Sequence, residues 1–163
     1  MTPPLNPPFY AEHVGSLPRP ERLIRARSAY ASGDMPLSDL RVVEDDCVLD
    51  AVAMQKRVGI GAITDGEFRR ASWRDAPFEN FDGFSDDRFE TDFTFTLFDG
   101  STRKAAPVPE TVAPVRRRAP MAAEHFSLLS QMTTGVLKAN LPTPSVTQFF
   151  RGDRGYRSRD LSR

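Results

Sequence analysis

Cysteine is almost absent. Cys47 is the only one in 163 residues, so no internal disulfide framework exists and the chain suits a reducing compartment. Histidine is nearly as scarce: His13 and His125 stand 112 positions apart, and there is no H-x-C, C-x-x-C or H-E-x-x-H pattern. The short zinc-binding spacings are therefore missing. Charge of neither sign is in excess, since Lys plus Arg and Asp plus Glu both total 22. No global field draws nucleic acid or an anionic membrane. No apolar run approaches the roughly 18 residues of a membrane helix. The start, M-T-P-P-L-N-P-P-F-Y, has neither the basic nor the apolar region of a secretory signal. These absences predict a soluble, cytoplasmic chain with no nucleic-acid or membrane partner.

Proline is plentiful instead, with 14 in the chain, and the hydrophobic fraction is a low 39%. Parts of the chain are therefore expected to be loop-like, although this length supports one domain that buries about two-thirds of its unfolded surface. Residues 1–8 hold four prolines and predict an extended arm without chemistry. Residues 9–14 read as a first strand, broken by G-S-L-P-R-P at 15–20. Good helix formers follow Pro20 over residues 21–31 and stop at Gly33. A longer helix is predicted over residues 38–58, where Leu40, Val43, Cys47, Ala51, Met54 and Val58 draw one apolar stripe. Ser38 is its expected N-cap, Leu37 and Val42 its staple, and Gly59 its stop. The stripe turns Cys47 inward as an inert core thiol.

Residues 60–70, I-G-A-I-T-D-G-E-F-R-R, organise the rest. A strand-type run over 60–64 passes directly into two carboxylates flanking a glycine. Strand ends of this kind carry chemistry in barrels of alternating strands and helices, because the strand body is buried and its carboxyl end opens to solvent. The same residues also suit a solvated turn with Gly66 at positive φ. With the strand over 9–14 they predict a parallel pair joined by a right-handed crossover.

Aromatics are scattered through residues 68–84 without a period, which predicts a lid-like loop with a helical turn or two. Residues 89–98 alternate, Phe89, Phe93, Phe95 and Leu97 falling on one face, and Asp99-Gly100 signals a hairpin. The return segment over 103–115 carries Pro107, Pro109 and Pro114, confining it to an edge or to irregular structure. Arg116-Arg117-Arg118 is expected to be a solvated turn before a helix, although three arginines also suit a phosphate or a polyglutamate tail. Residues 121–133 read as a helix with Phe126, Leu129 and Met132 inward and His125 at the surface or in a cap. Residues 136–141 are a third strand. The last thirteen residues contain five arginines and too little apolar surface to fold alone. They read as an RNA-binding tail with Tyr156 as a stacking residue, or as a truncation or frame scar.

Three segments, H-V-G-S-L-P-R-P at 13–20, T-D-G-E-F-R-R with Trp73 at 64–73, and K-A-N-L-P-T-P-S at 138–145, come in an order that resembles the amino-terminal part of the cobalamin-independent methionine synthase family. The closest likeness is to its short single-barrel members, and it covers residues 9–150. The resemblance implies a (β/α)8 barrel and methyl transfer from 5-methyltetrahydrofolate, carried as its polyglutamate, to the thiol of homocysteine. It further implies that a bound zinc holds this thiol as thiolate. By resemblance Val14, Gly15 and Ser16 contact the amino-acid substrate and Glu67 binds its ammonium group, with Asp65 and His13 as lesser neighbours. Physically, Ser16 and nearby amides suit a carboxylate and Glu67 an ammonium. Asp65 stands where the synthases usually carry His, which leaves the thiol substrate open.

The family's zinc ligands, a His-x-Cys pair, a Glu and a further Cys, belong to the later half of its barrel and have no counterpart here. A full barrel takes at least about 200 residues. The expectation is an α/β fold holding about three βα units of an incomplete barrel, with a β-hairpin excursion near 88–115. Such a fragment is expected to be inactive by itself and to hold no catalytic or metal residue. A thiol lyase or transferase acting on coenzyme M adducts is the sister reading. A nucleic-acid-binding fragment and a non-catalytic half-barrel that self-associates through exposed edges are the readings from other classes.

Overall fold

The computed structural model describes residues 11–72, 76–91 and 93–145. The proline-rich arm, Trp73 and the arginine-rich tail all lie outside them. The elements in chain order are α1 (Glu21–Ala31), α2 (Leu37–Arg57), β1 (Ala62–Ile63), α3 (Ala76–Asn80), β2 (Phe81–Phe89), β3 (Thr94–Thr96), β4 (Thr102–Lys104), β5 (Val108–Arg117), α4 (Ala123–Met132) and β6 (Val136–Leu137). They form a mixed α/β fold with three two-stranded sheets among the described residues. The chain divides into two compact units, Met1–Trp73 with Ala122–Asn140, and Arg74–Met121 with Leu141–Arg163. No helix of the described residues is long and apolar enough to cross a membrane.

In the first unit β1 pairs in parallel with β6, Ala62 opposite Val136 and Ile63 opposite Leu137. The first strand read over 9–14 is reduced, in its described part, to one parallel bridge between Glu12 and Ala62. The expected parallel relation is kept, but the ladder is short. One reason is Gln55. Its buried amide donates to the Thr64 carbonyl at 2.9 Å and accepts from the Thr64 N–H at 3.0 Å, so a helix side chain takes the place of a neighbouring strand and ends β1 there.

Leu17, Leu23, Cys47, Val48, Ala51, Val52, Ile63, Phe68 and Leu129 make the core. Cys47 is inward as expected, its sulfur accepting from Arg22 Nε at 3.1 Å. The stripe of α2 holds from Leu40 to Met54, while Val58 lies exposed beyond the helix end. The N-cap differs from expectation. Pro36 occupies it at φ −73° and ψ 156° with no side-chain cap, because its ring already fixes the extended entry. Ser38 donates to Asp39 instead, and Leu37 and Val42 are exposed and form no staple.

In the second unit the single strand read over 89–98 is replaced by two. Phe89 closes β2, which pairs antiparallel with β5, and β3 pairs with β4 across the Asp99-Gly100 turn. The sheet order explains Pro109 and Pro114 inside β5: in a two-stranded sheet every strand is an edge. Phe78 and Phe84 meet edge to face at 5.0 Å and Phe93 and Phe95 at 4.8 Å. Phe78, Phe93 and Phe95 pack on buried Ala105 and Val108. The arginine run also departs from its reading. Arg116 and Arg117 end β5, while Arg118 donates to the Glu79 carbonyl at 2.6 Å and faces Asp82 at 3.5 Å.

Candidate functional site

The segment after β1 folds on its own side chains. Thr64 Oγ1 accepts from the Gly66 N–H at 3.1 Å and Asp65 Oδ1 from the Glu67 N–H at 3.0 Å. Both Gly66 (φ 66°) and Glu67 (φ 59°) are left-handed. For glutamate this conformation is strained by about 1–3 kcal/mol, and such strain gathers at functional sites.

The three segments read as motifs meet here. Leu17 N–H donates to the Gly66 carbonyl at 3.1 Å, and the Ser16 hydroxyl reaches the same carbonyl at 3.3 Å. Asn140 Nδ2 donates to the Gly15 carbonyl at 3.3 Å. Arg70 Nη1 donates to the Asn140 carbonyl at 2.6 Å, and Arg19 Nη2 to the Arg70 carbonyl at 3.0 Å. Backbone-directed bonds thus tie residues 15–19, 66–70 and 140 into one cluster. Ser16 reaches the turn and Gly15 is bonded to Asn140, while the Val14 side chain is 81% exposed and His13 is half-buried.

Two arginines anchor the turn from behind. Arg69 pairs with Asp45 of α2 and, at 3.2 Å, with Glu124 of α4. Arg27 donates to Phe68 O at 2.5 Å and pairs with buried Glu44 at 2.8 Å.

Asp65 and Glu67 are 6% and 2% exposed. Asp65 Oδ2 and Glu67 Oε2 are fully buried and find no hydrogen-bond partner. Leaving such an atom unpaired costs about 1–3 kcal/mol, more for a charge, so the turn presents acceptors without donors.

His125, read as a surface or capping residue, is instead half-buried. Its Nδ1 has no partner, and it lines a small cavity with Asp65, Arg70 and Lys138. A signal was present, since positions 125, 129 and 132 share one face of α4. Burial holds the imidazole below its ordinary 6.5, with Asp65 pulling the other way. Below pH 6.5 the unfolded chain therefore binds more protons at this residue than the folded one. The His125 contribution to stability is complete above that pH and is lost as the pH falls through the folded-state value. Between about pH 7.5 and 5.5 the urea midpoint of the native sequence should drop more than that of His125→Asn. Parallel pH profiles would contradict this.

No group of three His, Cys, Asp or Glu placed to hold a metal ion occurs among the described residues. With Cys47 sealed in the core, the donor set of the described residues does not fit zinc.

The fold is similar to that of vitamin-B12-independent methionine synthase-like proteins of known structure. A Listeria monocytogenes protein assigned as such a synthase superposes with a TM-score of 0.66 at 30% identity, over 91% of this chain and 40% of its own. A B12-independent methionine synthase from Shewanella sp. W3-18-1, solved with selenomethionine, gives 0.57 at 26% identity over 78% of this chain and 36% of its own. Among curated proteins the chain is similar to two uncharacterized proteins of Bacillus subtilis (strain 168). YxjG is 36% identical over 147 residues, 90% of this chain and 38% of that protein. YxjH is 42% identical over 76 residues, 47% of this chain and 20% of that protein. The chain thus spans about two-fifths of the length of YxjG and of the Listeria protein. No protein-family model matches it.

Proposed function

We propose that this chain forms the substrate-side part of a methyltransferase, an incomplete (β/α)8 barrel that binds the amino-acid acceptor of a methyl group. The donor in this reading is 5-methyltetrahydrofolate in its polyglutamate form, the acceptor is the homocysteine thiol, and the product is methionine. The observation that carries the reading is the buried, unpartnered Oε2 of Glu67 on a strained turn that is bonded to the 15–17 loop. An α-ammonium brings donors and a positive charge, which complements that oxygen. Glu67 takes the ammonium, Asp65 lies beside it, and Gly15, Ser16 and Val14 line the amino-acid side with His13 at their margin. The Shewanella neighbour's complex with selenomethionine supports an amino acid of this shape. The zinc of the family finds no donor set among the described residues, and no step is assigned to it.

The test is calorimetric titration of the chain with L-methionine. Glu67→Gln keeps the size of the side chain and removes its charge, so affinity should fall roughly tenfold to a hundredfold, matching a charge-assisted hydrogen bond of about 1.5–3 kcal/mol. Equal affinity in the variant would overturn the assignment. A thiol substrate without an ammonium, such as coenzyme M, would then be the better reading.

A further inference from the structure

Asp65 Oδ2 and His125 Nδ1 are both buried, both unpartnered, and both belong to residues lining one small cavity. The cavity has no room for a water molecule, so solvent does not bridge them there. The other charged groups on its wall are engaged elsewhere. Arg70 Nη1 donates to Asn140 O, and Lys138 pairs with Glu12 at 3.1 Å. Arg69 and Glu124, which also act on the ring electrostatically, pair with each other, and Arg69 pairs with Asp45 as well. Asp65 Oδ1 is held by the Glu67 N–H, which fixes how the carboxylate is turned. A carboxylate only accepts, and a neutral imidazole donates from one nitrogen. No hydrogen bond joins the two atoms in the structure; both are satisfied together if the imidazole turns toward Asp65, with Nδ1 carrying the proton and donating it to Oδ2.

We infer that Asp65 and His125 form a proton-accepting dyad, in which Asp65 holds the imidazole as its Nδ1–H tautomer and leaves Nε2 bare to take a proton from a bound thiol. The S–H bond breaks, an N–H bond forms at Nε2, and the electron pair stays on sulfur. The thiolate on one side and the Asp65 carboxylate on the other both favour the imidazolium. His125 accepts the proton and Asp65 is its positioning residue. The thiol rests on the methyltransferase reading, whereas the dyad does not.

The chain has two histidines, so nitrogen NMR of its imidazoles near neutral pH reads each ring directly. One ring should be protonated at Nδ1 with Nε2 bare, and it should vanish in His125→Gln. In Asp65→Asn the Oδ1 that caps Glu67 remains, while an amide N–H replaces Oδ2, so the tautomer should reverse to Nε2–H. An Nε2–H ring in the native sequence, or no reversal in Asp65→Asn, would overturn the dyad. Saturating L-homocysteine should convert the ring to imidazolium, and L-methionine, which has no thiol proton, should leave it neutral. Homocysteine bound with the ring unchanged would overturn the proton transfer. If neither amino acid binds, the methyltransferase reading and the thiol fail together, and the tautomer result still decides the dyad.

Discussion

Glu44→Ala should lower the stability of the chain by about 3–5 kcal/mol, the usual cost of leaving one member of a buried ion pair alone. Glu44 is 1% exposed and joins two guanidinium groups, Arg27 at 2.8 Å and Arg41 at 2.6 Å. Arg41 sits near the surface and can return to water. Arg27 is poorly placed to do so: its Nε is already buried without a partner, and burial lowers its affinity for its proton even with Glu44 in place. At a slope of about 1–3 kcal/mol per molar urea, the midpoint should fall by one molar or more. Glu44→Gln, which still accepts hydrogen bonds, should lose less. A drop in stability below about 1 kcal/mol in the alanine variant would contradict this account of the pair. The effect should reach the candidate site, because the same Arg27 donates to the Phe68 carbonyl one residue past Glu67.

Gly83→Ala should weaken the β2–β5 pair by about 2–5 kcal/mol, from left-handed strain and overpacking together. Gly83 has φ 101°, and a Cβ there would lie 2.8 Å from the Ala113 carbonyl oxygen and 2.9 Å from that of Pro114. Both contacts are backbone, so no side-chain rotation relieves them. Hydrogen exchange from the amides of β2 and β5 should speed up roughly 30-fold or more, at 1.4 kcal/mol per factor of ten. Gly100→Ala is the control, since it shares a positive φ of 82° but meets nothing within 4 Å. Equal acceleration in the two variants would show that strain alone matters and that the carbonyls yield.

What the sequence revealed depended on whether the stabilising interaction was local. The helix over 21–31 follows from a run of good helix formers between a proline and a glycine, and the body of α2 from its repeating apolar spacing. The Asp99-Gly100 turn carries its own signal in two residues. By contrast, β2 reads F-D-G-F-S-D-D-R-F, too charged to announce a strand, and its hydrogen-bonding partner lies some twenty or more positions away in β5. The D-G-E turn was legible by residue type. Its union with Gly15 to Leu17 and Asn140 was implied only by the family resemblance and not by residue pattern, because those bonds run mostly through backbone carbonyls that every sequence possesses. His125 was discounted for a related reason: the spacing along α4 sets it on the face of Leu129 and Met132 but does not reveal that it shares a cavity with Asp65.

Gln55 gives the turn an unexpected mechanical relation to its helix. Since both backbone hydrogen-bonding groups of Thr64 are gripped by one side chain of α2, the residue that begins the turn is registered against a helix rather than against a sheet. A slide of α2 along its axis would carry the start of the turn with it, like a pin seated in a rack, and would shift Asp65 and Glu67 without any change in strand pairing. The position of the two carboxylates thus depends in part on the seating of α2, so packing changes on that helix's far side are a remote way to retune the site.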